Sequence, residues 1–232
     1  MTTQTRYGCV TVAARLALNS SWAAVPLVTV PFIRKAAGRA LDTIDFTGDE
    51  NDYQPPIGKR VRIVAGKFAG RALTSPSDFR VRPTAEHVRV AMMDLLKNEL
   101  KDARVLDLFA GTGAFGIEAI SRGAKSCDFV EIRPSSLHAL KANIAVFRGV
   151  RDQTRIFKRD AIPYAAMLGE NSYEIAFADP PYESKQLDLV IKSWMEKKFA
   201  PVLAVEHSVT HVLPAGAVRR QFDETVVTIY RL

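Results

Sequence analysis

Only two cysteines, Cys9 and Cys127, occur in the 232 residues, and neither stands at metal-ligand spacing from a second Cys or a His. That scarcity excludes a disulfide framework and a cysteine-based zinc site, and it fits a reducing compartment. Cys127 opens an apolar run and reads as a small core residue. No apolar run reaches the roughly 18 residues a membrane-spanning helix requires, so no transmembrane segment is expected. Acidic residues are missing from positions 1–41, where Arg6, Arg15, Arg34, Lys35 and Arg39 are scattered among Ser, Thr and Ala. That composition has the flavour of a transit peptide, but Pro26 and Pro31 interrupt its one apolar stretch and no clean cleavage site follows. Residues 1–56 are read as a poorly ordered extension ending in an acidic, Pro-rich linker. A cytoplasmic location is expected, with organelle targeting through residues 1–41 as the alternative.

The formal charge of +7 is unevenly placed: residues 1–56 hold five basic and five acidic residues, so the excess lies in residues 57–232. A basic body suits polyanion binding, because lysines and arginines that neutralise phosphates release counterions. Residues 57–82 carry Lys59, Arg60, Arg62, Lys67, Arg71, Arg80 and Arg82 against Asp78 alone. Residues 62–66 and 71–74, joined by Lys67-Phe68-Ala69-Gly70, predict a β-ribbon arm with a Gly-bearing turn. Such a ribbon must dock on the main domain or on a partner. Arg62, Lys67 and Arg71 are candidate phosphate contacts, with Phe68 as the stacking group among them. Arg82-Pro83-Thr84 then opens a helix, with Thr84 as N-cap and an apolar stripe through about Leu100. Arg82 and Arg89 lie off that stripe and join the candidates for RNA or DNA contact, with Thr84 beside them.

From Arg104 the pattern alternates strand and helix. Strands are expected at 105–109, 127–131, 155–158, 173–178 and 200–206, with helices starting near Gly113, Pro134, Asp160 and Ser184. This is a parallel α/β sheet of Rossmann-like type, and the short spacing of 218–222 and 225–231 predicts a closing antiparallel hairpin. His207 and His211 are read as solvated loop histidines after the fifth strand, and Trp194 as a helix packing residue. No spare apolar stripe stands out, so a monomer is expected.

Two motifs carry chemistry. Asp179-Pro180-Pro181-Tyr182 ends a buried strand with a carboxylate, a rigid carbonyl and a flat ring. Those groups suit a planar base bearing an exocyclic amine: Asp179 and the Pro180 carbonyl accept its hydrogens, Pro181 stiffens the turn, and Tyr182 stacks on the ring. The second motif is the glycine run Asp107-Leu108-Phe109-Ala110-Gly111-Thr112-Gly113-Ala114-Phe115-Gly116, which joins the first strand to the first helix of the sheet. Its glycines admit a ligand close to the backbone. Glu131, twenty residues after Gly111, is placed to accept both hydroxyls of a ribose. The loop also satisfies the dinucleotide pattern G-x-G-x-x-G, so an oxidoreductase must be weighed. Asp107 argues against it, because a carboxylate there repels a pyrophosphate but can hold an amino-acid ammonium. S-adenosylmethionine has the amino acid and the ribose and no phosphate. Asp160 is placed to accept from its adenine amine, or to cap the following helix, or both. No metal is implied.

The glycine loop, Glu131, Asp160 and the Asp-Pro-Pro-Tyr strand end resemble class I S-adenosylmethionine-dependent amino-methyltransferases. More narrowly, the run 62–73, Arg82-Pro-Thr84 and Val88-Arg89 resembles the RsmD-type bacterial methyltransferases, from about Lys59 to the C-terminus. The resemblance implies a seven-stranded sheet with an antiparallel last strand, S-adenosylmethionine as cofactor, and transfer to the 2-amino group of a guanine in 16S ribosomal RNA, free or in a small-subunit assembly particle. Residues 57–82 are then the substrate arm and 83–232 the methyltransferase domain. An adenine in DNA or a protein amide would be the alternative acceptor.

Overall fold

Val105, Leu106 and Leu108 are fully buried, and so are Cys127, Phe129 and Val130 of the next strand, Ile175 to Ala178 of the fourth and Leu203 to Val205 of the fifth. Strands apolar on both faces must be covered on both sides, which is the condition of a parallel sheet packed between helices. The computed structural model describes residues 61–75, 85–147, 149–181 and 184–232, and it shows that arrangement. The order along the chain is α1 (Glu86–Leu95), β1 (Arg104–Leu108), α2 (Ala114–Ser121), β2 (Ser126–Glu131), α3 (Pro134–Val146), β3 (Thr154–Lys158), α4 (Ala161–Met167), β4 (Ile175–Ala178), α5 (Gln186–Lys197), β5 (Val202–Ser208), β6 (Val218–Phe222) and β7 (Thr225–Arg231). The seven strands lie in the order β3-β2-β1-β4-β5-β7-β6. β1 to β5 pair in parallel, while β7 runs antiparallel to both β5 and β6. The expected antiparallel closure is therefore present.

Alternation along each strand divides the core in two. Val105, Phe129, Phe177 and Ala204 pack on the side that carries Met92 and Met93 of α1 and Ile117 of α2. Leu106, Leu108, Val130 and Val205 pack on the other side with Ala165 of α4 and Trp194 of α5. Trp194 also donates its indole N–H to the Ala200 carbonyl at 2.7 Å, which satisfies its polar end inside the core.

The arm docks on the main domain, one of the two seats expected for it, but has less strand than a regular ribbon. Its two limbs share an isolated bridge, Arg62 opposite Ala72, and main-chain bonds such as Leu73 N–H to the Val61 carbonyl at 2.7 Å; Gly66–Phe68 form a single 3₁₀ turn. The physical reason is apolar content: Val61, Ile63, Phe68 and Leu73 are all buried, and a solvated ribbon could not hide them. α2 supplies the dock. The Glu118 carboxylate accepts the Val64 and Ala65 N–H groups at 2.8 and 3.0 Å, and Ser121 Oγ accepts the Phe68 N–H at 2.9 Å. Gly66, at φ +82°, lies so close to α2 that an added Cβ would fall 1.9 Å from the Ser121 carbonyl oxygen. Only glycine fits there.

Three further expectations are corrected. The first helix begins at Glu86 with no side-chain cap from Ala85 and ends at Leu95, short of Leu100. β5 runs on to Ser208, so His207 is not a loop residue. Its ring is buried, with Nε2 2.9 Å from Thr228 Oγ1 and Nδ1 2.9 Å from the Ser208 carbonyl, and burial pushes its pKa down. Arg89, expected at the surface, is 1% exposed. It donates to the Arg62 carbonyl and lies 3.9 Å from Glu118, which also receives Arg122 Nε at 2.9 Å. A buried guanidinium is tolerable only beside such a carboxylate.

Glu118 thus joins α1, α2 and the arm, and its loss should be far costlier than that of an exposed partner. Glu118→Ala is expected to destabilise the protein by about 3–5 kcal/mol, because Arg89 loses its nearest carboxylate. Glu174→Ala, which breaks the half-exposed pair with Arg104 at 2.7 Å, should cost about 1 kcal/mol or less. Urea unfolding of the two variants checks this; similar midpoints would remove Glu118 from its organising role.

Candidate active site at the carboxyl edge of the sheet

The chain fills the sheet outward from β1 to β3 and then returns to place β4 on the other side of β1. At such a reversal the connections leaving two adjacent strands diverge and open a crevice at their carboxyl ends. Leu108 of β1 lies opposite Ala178 of β4. Asp107 and Asp179, two positions apart in that register and of the same parity, therefore leave neighbouring strands on one face of the sheet. Phe115 of α2 stacks on Phe177, with centroids 5.4 Å apart and planes at 22°, and so packs against the residue two before Asp179.

The glycine loop turns sharply out of β1. Phe109 has φ +61°, Gly111 +56° and Gly113 +80°. A left-handed aromatic residue costs on the order of 1–3 kcal/mol, which the surroundings must over-determine. They do so with the Ala110 N–H bonded to the Val130 carbonyl at 3.0 Å and the Gly113 N–H to the Ala110 carbonyl at 2.7 Å. α3 closes in behind: a Cβ at Gly113 would meet Leu140 Cδ1 at 2.5 Å.

Glu131 latches this loop to β2. One carboxylate oxygen accepts the Gly111 N–H at 2.9 Å, and the other accepts the Ile132 and Arg133 N–H groups, each at 2.8 Å. A carboxylate offers about four lone-pair sites, so three such bonds leave capacity for a ribose hydroxyl. Asp107 is buried and accepts the Gly116 N–H of α2 at 3.0 Å. Desolvation drives its pKa well above the usual carboxylate range; the Gly116 bond opposes this, and the charges of Asp179 and Glu131 add to it. A carboxylate so placed is short of positive charge, and a ligand ammonium would supply it. Asp160 is exposed and caps α4 by accepting the Ile162 N–H at 2.9 Å, so the capping role is realised and an outward-facing carboxyl remains for a ligand. Asp179 is half-buried, Pro180 buried and Pro181 exposed. Tyr182 lies outside the described residues, as do Arg82 and Thr84.

Of the arm residues expected at an RNA surface, Arg62, Lys67 and Arg71 are exposed. Arg62 Nε pairs with Glu86 at 3.1 Å, and the Arg71 guanidinium lies 5.4 Å from the centre of the Phe147 ring. Phe68 and Arg89 are inside instead. Phe68 meets Phe147 edge to face at 5.0 Å and is 4% exposed, so its ring is not presented for stacking. Lys67 Nζ covers it at 5.3 Å. Two residues of the site went unremarked in the sequence. Glu118 holds the arm, and Asn143, buried in α3, donates to the Thr112 carbonyl of the glycine loop at 2.9 Å. The available signal for Asn143 was its presence at mid-helix, where Asn is a poor helix former and usually has another task.

The family described as Conserved hypothetical protein 95 matches residues 61–230. The Ribosomal RNA small subunit methyltransferase D of Escherichia coli (strain K12) is 31% identical over 160 residues, 67% of this chain and 78% of that protein. The protein of the same name from Haemophilus influenzae is 25% identical over 186 residues, covering 77% of this chain and 96% of its own. Among solved structures, a hypothetical protein of Thermus thermophilus superposes with a TM-score of 0.63 at 29% identity, covering 74% of this chain and 99% of that one. An RNA methyltransferase from Salinibacter ruber, solved with S-adenosyl-L-homocysteine, shares the fold at 15% identity with a TM-score of 0.52, over 65% of this chain and 93% of its own. This chain has the class I methyltransferase fold and belongs to the RsmD family of methyltransferases, the family described as Conserved hypothetical protein 95.

Proposed function

We propose that the protein transfers a methyl group from S-adenosylmethionine to the 2-amino group of a guanine in small-subunit ribosomal RNA, as a monomer acting in the cytoplasm on the RNA or an assembly particle. The observation that carries this reading is the pairing of Asp107 and Asp179 at the ends of adjacent strands, beside a glycine loop latched by Glu131. The RNA substrate is supported by the names of the relatives and by the exposed cations of the arm.

The cofactor fits the residues present. Asp107 is a buried carboxylate whose neighbouring charges, among the described residues, are the acids Asp179 and Glu131, as an ammonium site requires. The start of α2 suits a carboxylate, Glu131 suits the ribose, and Asp160 the adenine amine. Phe109, Ala110, Thr112 and Gly113 shape the loop around them. A pyrophosphate, by contrast, would face Asp107, which speaks against a dinucleotide.

When bound, S-adenosylmethionine supplies an electrophilic methyl on a sulfonium sulfur. The chain's task is orientation. Asp179 and the Pro180 carbonyl accept the two hydrogens of the guanine 2-amino group, which turns the nitrogen lone pair toward that methyl, while Pro181 fixes the turn and Tyr182 stacks on the flipped base. Asp179, or water, would take the surplus proton of the amine once the methyl is transferred, the cofactor leaving as a neutral thioether. Orientation of this kind is worth up to about 7–11 kcal/mol. Arg62, Lys67 and Arg71, with Arg82, Thr84 and Arg89 near the start of α1, are assigned to the RNA side. Arg89 acts there through the Arg62 main chain it holds.

Three outcomes are expected. Transfer of labelled methyl to small-subunit RNA should yield N2-methylguanosine, and Asp179→Ala should lower turnover by about a thousandfold or more, in the range of a lost orienting and proton-accepting group, while S-adenosylhomocysteine still binds. Label in adenine or in protein would overturn the acceptor, and absence of any transfer or cofactor binding would overturn the reading. Lys67→Ala and Arg71→Ala should each reduce the slope of log affinity against log salt by about 0.7–0.9, one phosphate apiece; unchanged slopes would remove them from the interface. Cofactor affinity should also depend on pH through Asp107. Its folded-state pKa is raised, so the unliganded protein binds this proton more tightly than the unfolded chain does and loses stability as pH rises through that window. The ammonium needs the ionised form, so S-adenosylhomocysteine should bind more tightly as pH rises through the same window. Calorimetric titration of Asp107→Asn should show weak binding with that dependence gone, and an unchanged pH profile would remove Asp107 from the ammonium site.

A further inference from the structure

Asn143 is 2% exposed and takes no part in the chemistry above, yet its carboxamide is fully engaged with main chain from two separate segments. Its Oδ1 accepts the Thr74 N–H at 2.7 Å, and its Nδ2 donates to the Thr74 carbonyl at 3.0 Å and to the Thr112 carbonyl at 2.9 Å. A carboxamide has two N–H bonds to give, and both face carbonyls here; the flipped orientation would set oxygen against oxygen. The planar group therefore has one way to sit.

Both ends of this bridge belong to functional elements. Thr112 lies between Gly111, whose N–H is held by Glu131, and Gly113, against which Leu140 of α3 is packed. Thr74 lies in the arm, whose sequence continues to Arg82. A displacement of the Thr112 carbonyl must tilt the carboxamide, and that tilt strains both bonds to Thr74. Glu118 and Ser121 hold the arm at its other end but make no bond to the loop. Among the described residues, Asn143 is the side chain with hydrogen bonds to both the loop and the arm.

We propose that Asn143 is a positioning residue that couples the cofactor loop to the RNA-binding arm, so that each ligand strengthens the binding of the other through this one carboxamide. The proposal rests on the cofactor and RNA assignments made above. By linkage the coupling is reciprocal.

The test measures binding of a small-subunit ribosomal RNA fragment with and without S-adenosylhomocysteine, for the unmodified protein, Asn143→Ala and Asn143→Asp. With each protein saturated in S-adenosylhomocysteine, the unmodified protein should bind RNA at least about fivefold more tightly than without it, whereas in Asn143→Ala that ratio should fall to about one. Asn143→Asp keeps the size of the side chain and the acceptor for Thr74. Ionised, it has no hydrogen for either carbonyl, so it should lose the coupling and regain part of it as pH falls and the carboxyl can donate. That pH-dependent recovery is not expected of a residue that merely fills space, and it remains readable should the alanine variant not fold. A ratio near one in an active unmodified protein would overturn the proposal alone, as would a ratio retained in both variants, or lost in the aspartate variant without recovery at low pH. An unmodified protein that neither binds S-adenosylhomocysteine nor methylates RNA would overturn the functional reading with it.

Discussion

The reversal of strand order between β1 and β4 is the constraint on which the rest of the structure depends. It places the carboxyl ends of two buried strands side by side with their connections pointing apart, and the space so opened is bounded by Asp107 and Asp179. Two carboxylates converging at the edge of an apolar sheet repel each other and lose hydration. Asp107 shows this in the upward shift of its pKa, whose leading cause is burial. The fold tolerates that local cost because the surrounding sheet is apolar on both faces. On the proposed function, that edge receives a cation and an amine.

α2 serves both halves of the molecule. Its first turn meets Asp107 through the Gly116 N–H, and Phe115 packs against Phe177; further along the helix the buried Glu118 and Ser121 receive the arm. The buried pairing of Arg89 and Arg122 with Glu118 adds α1 to the same assembly. Buried charge is a weak source of stability, but it specifies geometry: three elements must meet at one carboxylate for any of its partners to be satisfied.

Where the sequence and the structure part, the reason is long-range contact. Phe68 among lysines and arginines resembles a stacking residue, because nothing local records that Phe147 lies across from it. Arg89 lies off the apolar stripe of α1, and a charged residue there is normally solvated. Its burial depends on Glu118, a residue of another helix. His207 lies within a strand whose end is set by pairing with β7 rather than by its own sequence: Ser208 still pairs with Thr225. The hairpin 218–222 and 225–231, by contrast, is found at the expected bounds, since its two strands are neighbours in the chain and few residues intervene.

By itself the sequence determined the α/β alternation, the antiparallel closure, the glycine loop and the strand-end acids, because hydrophobic period, glycine and proline act over a few residues at a time. Only the tertiary structure decided which of those groups meet. Burial, strand order and the partners of Glu118, Glu131 and Asn143 arise from contacts between elements distant in the chain, and no local pattern encodes them. The arm shows the division best: its cations were legible at once, but its seat on α2 and α3 was not, because that seat is made by side chains fifty and more positions away.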